Sequence, residues 1–216
     1  MPKSLITLEY IKMLGRPVFT TREIADLSGK SPSNVTQSLN YLERHNIIRK
    51  IYHGVWVEVT NKLVSPYMLI PYLFKTARVY VSFLSALHLH GIVEQIPQDI
   101  TLASTSHTKK LKTGVGVFAV HQLSPKFFAG FDWYKGTGSF LIAEPEKAMA
   151  DCLYLYTKKK NQYGYFPELN LEKSFKINKL KAWLNNIPGE QSKIAAKTKL
   201  SDILKATGQP GSGLYI

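Results

Sequence analysis

Apolar and polar positions change period twice within the first 60 residues. Over residues 4–14, Leu5, Ile6, Leu8, Ile11 and Leu14 give a wide apolar helical face, and Gly15-Arg16-Pro17 stops it. Thr20-Thr21-Arg22-Glu23 has capping-box spacing: a Thr hydroxyl takes up one free N–H of a new helix and Glu23 reaches back for another. The short helix this opens, residues 21–28, ends at Gly29. Ser31-Pro32 then pairs a favoured N-cap with the helical position where proline is favoured, which predicts a third helix over 32–45. Val35, Leu39 and Leu42 form its buried stripe, and the period then falls to two. Residues 47–52 and 55–59 are β-rich runs separated by His53-Gly54, a two-residue hairpin signal.

Periodicity lapses over 60–66, which places a linker there and a domain boundary at 65, dividing the chain into 1–65 and 66–216. Downstream the pattern alternates. Helical runs are expected over 66–75 and 81–90, the second closed by Gly91, with β-rich pieces at 99–103, 115–123 and 139–143. Lys109-Lys110-Leu111-Lys112 reads as a loop between the first two strands. Glu144-Pro145-Glu146 opens an amphipathic helix over 145–156, with acids in its first turn where the helix dipole favours them. From Lys158-Lys159-Lys160 onward the chain is polar and basic, with helices expected over 178–186 and 191–206 and a flexible Gly/Pro/Ser stretch at 208–213. The expected fold is α+β: an N-terminal winged helix-turn-helix, then a mixed α/β domain with a short sheet and a basic helical tail, residues 158–216.

The face of the third helix opposite its buried stripe carries Ser33, Asn34, Thr36, Gln37, Asn40 and Arg44. Most surface helices show Glu and Lys; this one offers short neutral hydrogen-bonding groups. Asn and Gln present a donor and an acceptor on one planar amide, which matches the N6/N7 edge of adenine. Helix, tight turn and polar helix is the arrangement of helix-turn-helix DNA readers, and a basic hairpin directly after it makes a winged helix. The expected DNA surface comprises Ser31, Ser33, Asn34, Gln37 and Asn40 toward the groove. Lys30, Arg44, Arg49, Lys50 and His53 would meet the backbone or minor groove.

Charge supports a polyanionic partner. The 216 residues carry 28 Lys+Arg against 15 Asp+Glu, a formal net charge of +13. Residues 1–65 hold nine basic and five acidic side chains, 66–157 eight and six, and 158–216 eleven and four, so the excess is densest in the tail. With 44% apolar residues a folded core is expected and disorder is excluded. No stretch approaches the roughly 18 apolar residues of a membrane span. One cysteine, Cys152, and no secretory signal pattern point to an intracellular, cytoplasmic protein.

Catalytic patterns are absent: no P-loop, no dinucleotide fingerprint, no nucleophile elbow and no zinc-protease motif. His88 and His90 have no ligand partners at metal spacing and read as structural, and Cys152 reads as a small core residue. Glu146 and Asp151 sit about 140° apart around a helix, so they do not converge on one point. Glu146 is expected to cap and Asp151 to form a salt bridge or hydrogen bond. No cofactor or metal is expected.

Three segments together resemble a known family. Val81-Ser82-Phe83-Leu84-Ser85-Ala86-Leu87-His88-Leu89-His90-Gly91-Ile92, followed by Gln95-Ile96-Pro97, resembles the S-x-x-S-A-L-x-x-H-G-L…Q-x-P segment of AbiEi-type antitoxins. Phe127-Phe128-Ala129-Gly130 resembles their aromatic-glycine element. Ala143-Glu144-Pro145-Glu146-Lys147-Ala148-Met149-Ala150-Asp151-Cys152-Leu153-Tyr154-Leu155 resembles their A-x-P-E-K-A-L-x-D-x-x-Y-L helix. Met149 stands where the family often has Leu, and His45-Asn46 replaces a glycine common after the third helix. The resemblance implies a transcriptional autorepressor and antitoxin, paired with a nucleotidyltransferase toxin encoded nearby in a type IV phage-defence module. Its winged helix would bind double-stranded DNA at inverted repeats in its own promoter. Ser82, Ser85, His90, Gly91, Pro97, Gly130, Pro145, Glu146, Lys147 and Asp151 would serve a structural or antitoxin role. The expected state is a monomer or weak dimer. The alternatives are a stand-alone winged-helix regulator, a protein-interaction module, or a nucleic-acid-acting enzyme with a nucleotidyltransferase-like second domain.

Overall fold

The structure, a computed structural model, describes residues 3–59, 64–136, 139–158, 163, 165–172 and 174–206, with side chains from Thr7 onward. The expected linker residues 60–63, two of the three tail lysines (Lys159, Lys160) and the stretch 208–213 lie outside the described residues, as do the side chains of Leu5 and Ile6. The chain forms two compact units and is a mixed α+β protein. One unit comprises residues 1–76 with 112–116 and 136–140; the other comprises 77–111, 117–135 and 141–216.

The first unit begins with α1 (Lys3–Met13), β1 (Val18–Thr20), α2 (Thr21–Ser28) and α3 (Pro32–Arg44), followed by β2 (Ile48–Tyr52) and β3 (Val55–Glu58). The capping box forms as its spacing predicts. The Thr20 hydroxyl accepts the Glu23 N–H at 3.3 Å, and Glu23 Oε2 accepts the Thr20 N–H at 2.7 Å. Gly29 closes α2 in the left-handed region at φ 64°, and Asn46 takes φ 56° just beyond α3, a conformation its short polar side chain tolerates. The strands form an antiparallel sheet in the order β1-β3-β2. β1 has no counterpart in the sequence reading because its three residues are all buried and show no alternation. Ile11, Phe19, Ile24, Val35, Leu39, Leu42, Ile48 and Trp56 make the core.

Residues 66–75 are not one helix. A 3-10 turn, Pro66–Leu69, precedes the single-turn α4 (Ile70–Leu73), because Pro71 has no N–H to continue an α-helical ladder from Tyr67.

The second sheet contains β4 (Val79–Val81), β5 (Asp99–Ser104), β6 (Lys109–Thr113), β7 (Gly116–Gln122), β8 (Phe131–Trp133) and β9 (Leu141–Ala143), in the order β6-β7-β5-β4-β9-β8. β4 runs antiparallel to β5 and parallel to β9, and β5 runs parallel to β7. Two expected elements take another form. The lysine-rich segment 109–112 is an edge strand, where charged side chains discourage edge-to-edge pairing. The helix expected from 81 is α5 (Phe83–Leu89), because Val79-Tyr80-Val81 is a buried strand before it.

The remaining helices are α6 (Pro145–Lys158), α7 (Ile177–Asn185) and α8 (Glu190–Ala206). Every residue of α6 from Glu146 to Leu155 is buried, and α5, α7 and α8 pack on it. The tail is therefore part of a core: Leu180, Leu184, Ile187, Ala196, Leu200, Ile203 and Leu204 are buried.

Candidate nucleic-acid interface

α3 stands on a hydrophobic base and presents a polar face to solvent. Val35, Leu39 and Leu42 anchor it, while Ser33, Asn34, Gln37 and Arg44 are exposed and Asn40 is half-buried. At about 100° per residue, Ser33, Gln37, Asn40 and Arg44 fall within roughly 60° of one another, opposite Val35. Asn34 flanks this stripe.

The hydroxyls of Thr36, Ser38 and the N-cap Ser31 bond to the backbone of α3. The Ser31 hydroxyl, exposed at the N-cap, accepts the Asn34 N–H at 3.3 Å. Thr36 donates to the Pro32 carbonyl at 2.8 Å, and Ser38 donates to the Asn34 carbonyl at 3.3 Å. Arg44 Nε donates to the Asn40 carbonyl at 3.3 Å. Lys30, half-buried, occupies the turn between α2 and α3.

The hairpin β2–β3 supplies the basic side chains. Arg49, Lys50 and His53 are exposed, and Tyr52 pairs with Val55 across the two-residue turn, where Gly54 takes φ 68°. The register shifts between Lys50 and Tyr52. The Lys50 N–H donates to Glu43 Oε1 at 2.9 Å, which ties this strand to α3, and the Lys50 ammonium lies 5.4 Å from the Trp56 ring centroid. Trp56 itself is buried and donates to Thr21 Oγ1 at 2.9 Å.

Sequence reasoning missed Tyr41. It is 44% exposed on the same flank of α3 as Asn34, and its ring centroid lies 4.2 Å from that of His45. Its signal in the sequence is an aromatic four residues after Gln37 on an otherwise polar face.

The second unit gathers several of the motif residues into a buried polar cluster. Asp151 and Lys147 are both 0% exposed and form an ion pair one helical turn apart. Asp151 Oδ2 also accepts from the Ser82 hydroxyl at 2.6 Å and the Tyr80 hydroxyl at 3.0 Å. The Lys147 ammonium sits 3.8 Å from the Phe127 ring centroid. Burial pushes the Asp151 carboxyl above its ordinary range and the Lys147 ammonium below its own, each opposed by the charge of the other. Gly130, at φ 75°, is held close: a Cβ there would lie 2.4 Å from Trp183 Cζ2 and 3.0 Å from Lys147 Cγ. Tyr80 and Trp183 are the partners the sequence reading missed, since neither lies near the motif helix in sequence.

Most of the other motif residues hold elements in place. The Thr101 N–H donates to the Ser85 hydroxyl at 2.8 Å, and His90 Nε2 donates to the Ala143 carbonyl at 2.8 Å. His88 Nδ1 lies 3.1 Å from the Val93 carbonyl, a structural placement like that of His90. Gly91 follows α5 at φ 71°, and Pro145 opens α6. Nothing in the structure explains Pro97. Glu146, expected to cap its own helix, reaches across to the next one: Oε1 accepts the Lys176 N–H at 2.9 Å, at the start of α7, and Oε2 lies 3.7 Å from Lys179 Nζ.

Glu146 and Asp151 therefore serve separate partners. Among the described residues, no group of three or more His, Cys, Asp and Glu is placed to hold a metal ion. Cys152 is buried, and burial pushes its thiol well above the ordinary range, the opposite of what a nucleophile needs. No helix among the described residues is long and apolar enough to cross a membrane.

Residues 8–59 match the sequence model of a family described as "Transcriptional regulator, AbiEi antitoxin". The match runs from within α1 to the end of the hairpin. No curated protein matches the chain.

Proposed function

We propose that this chain, with the AbiEi regulator match over its first unit as premise, is a DNA-binding transcriptional autorepressor and antitoxin acting in the cytoplasm. Residues 1–65 form a winged helix-turn-helix in this reading, with α3 in the major groove and the β2–β3 hairpin as the wing. Residues 66–216 form the antitoxin domain. The observation that carries the reading is the polar stripe of exposed Ser33, Gln37 and Arg44 with half-buried Asn40, flanked by Asn34 and followed at once by a hairpin bearing Arg49, Lys50 and His53. Amides within reach of base edges specify, and cations beside them position.

Inverted repeats in its own promoter are the proposed target, and occupancy of that site the mechanism. The proposed partner of the second domain is a nucleotidyltransferase toxin encoded nearby. Binding of the full chain to its upstream DNA, compared with a scrambled duplex at moderate salt, tests the first part. Equal affinity for both duplexes would refute the operator-binding proposal. Co-expression with the product of the adjacent reading frame tests the second. If that frame encodes no nucleotidyltransferase, the protein is a stand-alone winged-helix regulator.

A further inference from the structure

β2 is the outer strand of its three-stranded sheet, so one row of its backbone groups has no strand of that sheet beside it. Residues 112–116, which fold with the first unit, lie against that edge. The Gly114 N–H donates to the Ile51 carbonyl at 3.0 Å. A Cβ on Gly114 would lie 3.4 Å from the Lys50 carbonyl oxygen and 3.6 Å from Ile51 Cα, so this backbone meets β2 where its register shifts. The turn is fixed from within. Thr113 Oγ1 donates to the Gly116 carbonyl at 2.8 Å and accepts the Val115 N–H at 3.3 Å.

Lys112 stands two residues before Gly114, a span of about 7 Å in extended chain. It is exposed, and its side chain has no hydrogen bond or ion pair among the described residues. Lys110, by contrast, is paired with Asp99 at 2.7 Å. Arg49 and Lys50 are the exposed cations of β2 itself. The Glu43 carboxylate accepts the Lys50 N–H of this strand. Cations close to one another repel unless an anion lies across them.

We infer that Lys112 is a phosphate-contacting residue, held by Gly114 against the wing so that residues 112–116 form a third basic element of the DNA interface. The inference rests on the DNA-binding reading above. The ligand is the duplex backbone, read without regard to sequence.

The test measures binding of the full chain to its upstream duplex and to a random duplex between 50 and 200 mM salt, with folding checked by thermal melting. Lys112→Ala should reduce the slope of log affinity against log salt by about 0.9 on both duplexes, as Lys50→Ala should. Lys112→Arg should keep it. Gly114→Val, whose methyl groups would press on the Lys50 carbonyl, should lose the same increment with Lys112 intact. A slope lowered by Lys50→Ala and unchanged by Lys112→Ala would overturn the inference and leave the DNA reading standing. Failure of the unmodified chain to bind either duplex would overturn both.

Discussion

A side-chain amide on an exposed helix face can satisfy adenine with two hydrogen bonds, and it pays little desolvation when no duplex is present. On the proposed reading, Gln37→Ala or Asn34→Ala should cost about 1–3 kcal/mol on the specific site and almost nothing on random DNA. Fluorescence anisotropy on both duplexes would separate these outcomes, and equal losses would mean that α3 does not read bases. Gly130 makes a different demand. Its left-handed backbone and the 2.4 Å approach of Trp183 leave no room for a methyl group. Gly130→Ala should destabilise the protein by roughly 2–4 kcal/mol, and Trp183→Leu in the same chain should restore part of the loss. An unchanged melting temperature for Gly130→Ala would contradict this close packing.

Two elements show how ionised groups hold the fold. At the start of α2, burial alone would raise the Glu23 carboxyl, but hydrogen bonds from Arg16 and Thr20 hold it below its ordinary value of 4.5. A depressed folded value stabilises above the ordinary one and is lost as pH falls through the folded one. Protection of α2 amides against hydrogen exchange should therefore weaken as pH drops below 4.5, and Glu23→Gln should flatten that dependence. In α6, Asp151→Asn leaves the Lys147 ammonium buried without its counter-charge, an expected loss of about 3–5 kcal/mol in chemical denaturation. Adding Lys147→Met should recover most of it, because the amide still accepts from Tyr80 and Ser82 and the thioether packs on Phe127. Elements with local signals were legible in the sequence: the capping box, Ser31-Pro32, His53-Gly54 and the alternation of the hairpin. β1 and β4 were not, since three consecutive buried residues carry no period. The exposed polar face of α3 could be drawn from spacing alone. Tyr80 and Trp183, which complete the cluster around Lys147, could not, because their partners lie far along the chain.

For the whole molecule, the uneven charge takes on a different sense once α7 and α8 are placed. The eleven basic residues after 157 belong to a segment whose leucines and isoleucines cover α6. Truncation at Lys158 should uncover that helix and unfold the second unit, so it cannot isolate the role of the charge. Neutralising Lys193, Lys197 and Lys205 to Gln keeps the buried face of α8. If the tail binds DNA, this triple change should lower the salt slope by up to about three; if it meets an acidic protein, the slope should stay the same. The commitment of α3 hydroxyls to its own backbone also bears on the target. With the Thr36 and Ser38 hydroxyls donating to α3 carbonyls, the amides of Asn34, Gln37 and Asn40 do most of the base discrimination in the proposed complex, beside the Ser33 hydroxyl. A search of the upstream region should therefore favour half-sites rich in adenine over runs of guanine, and the spacing of those adenines should follow the rise of one helix through the groove.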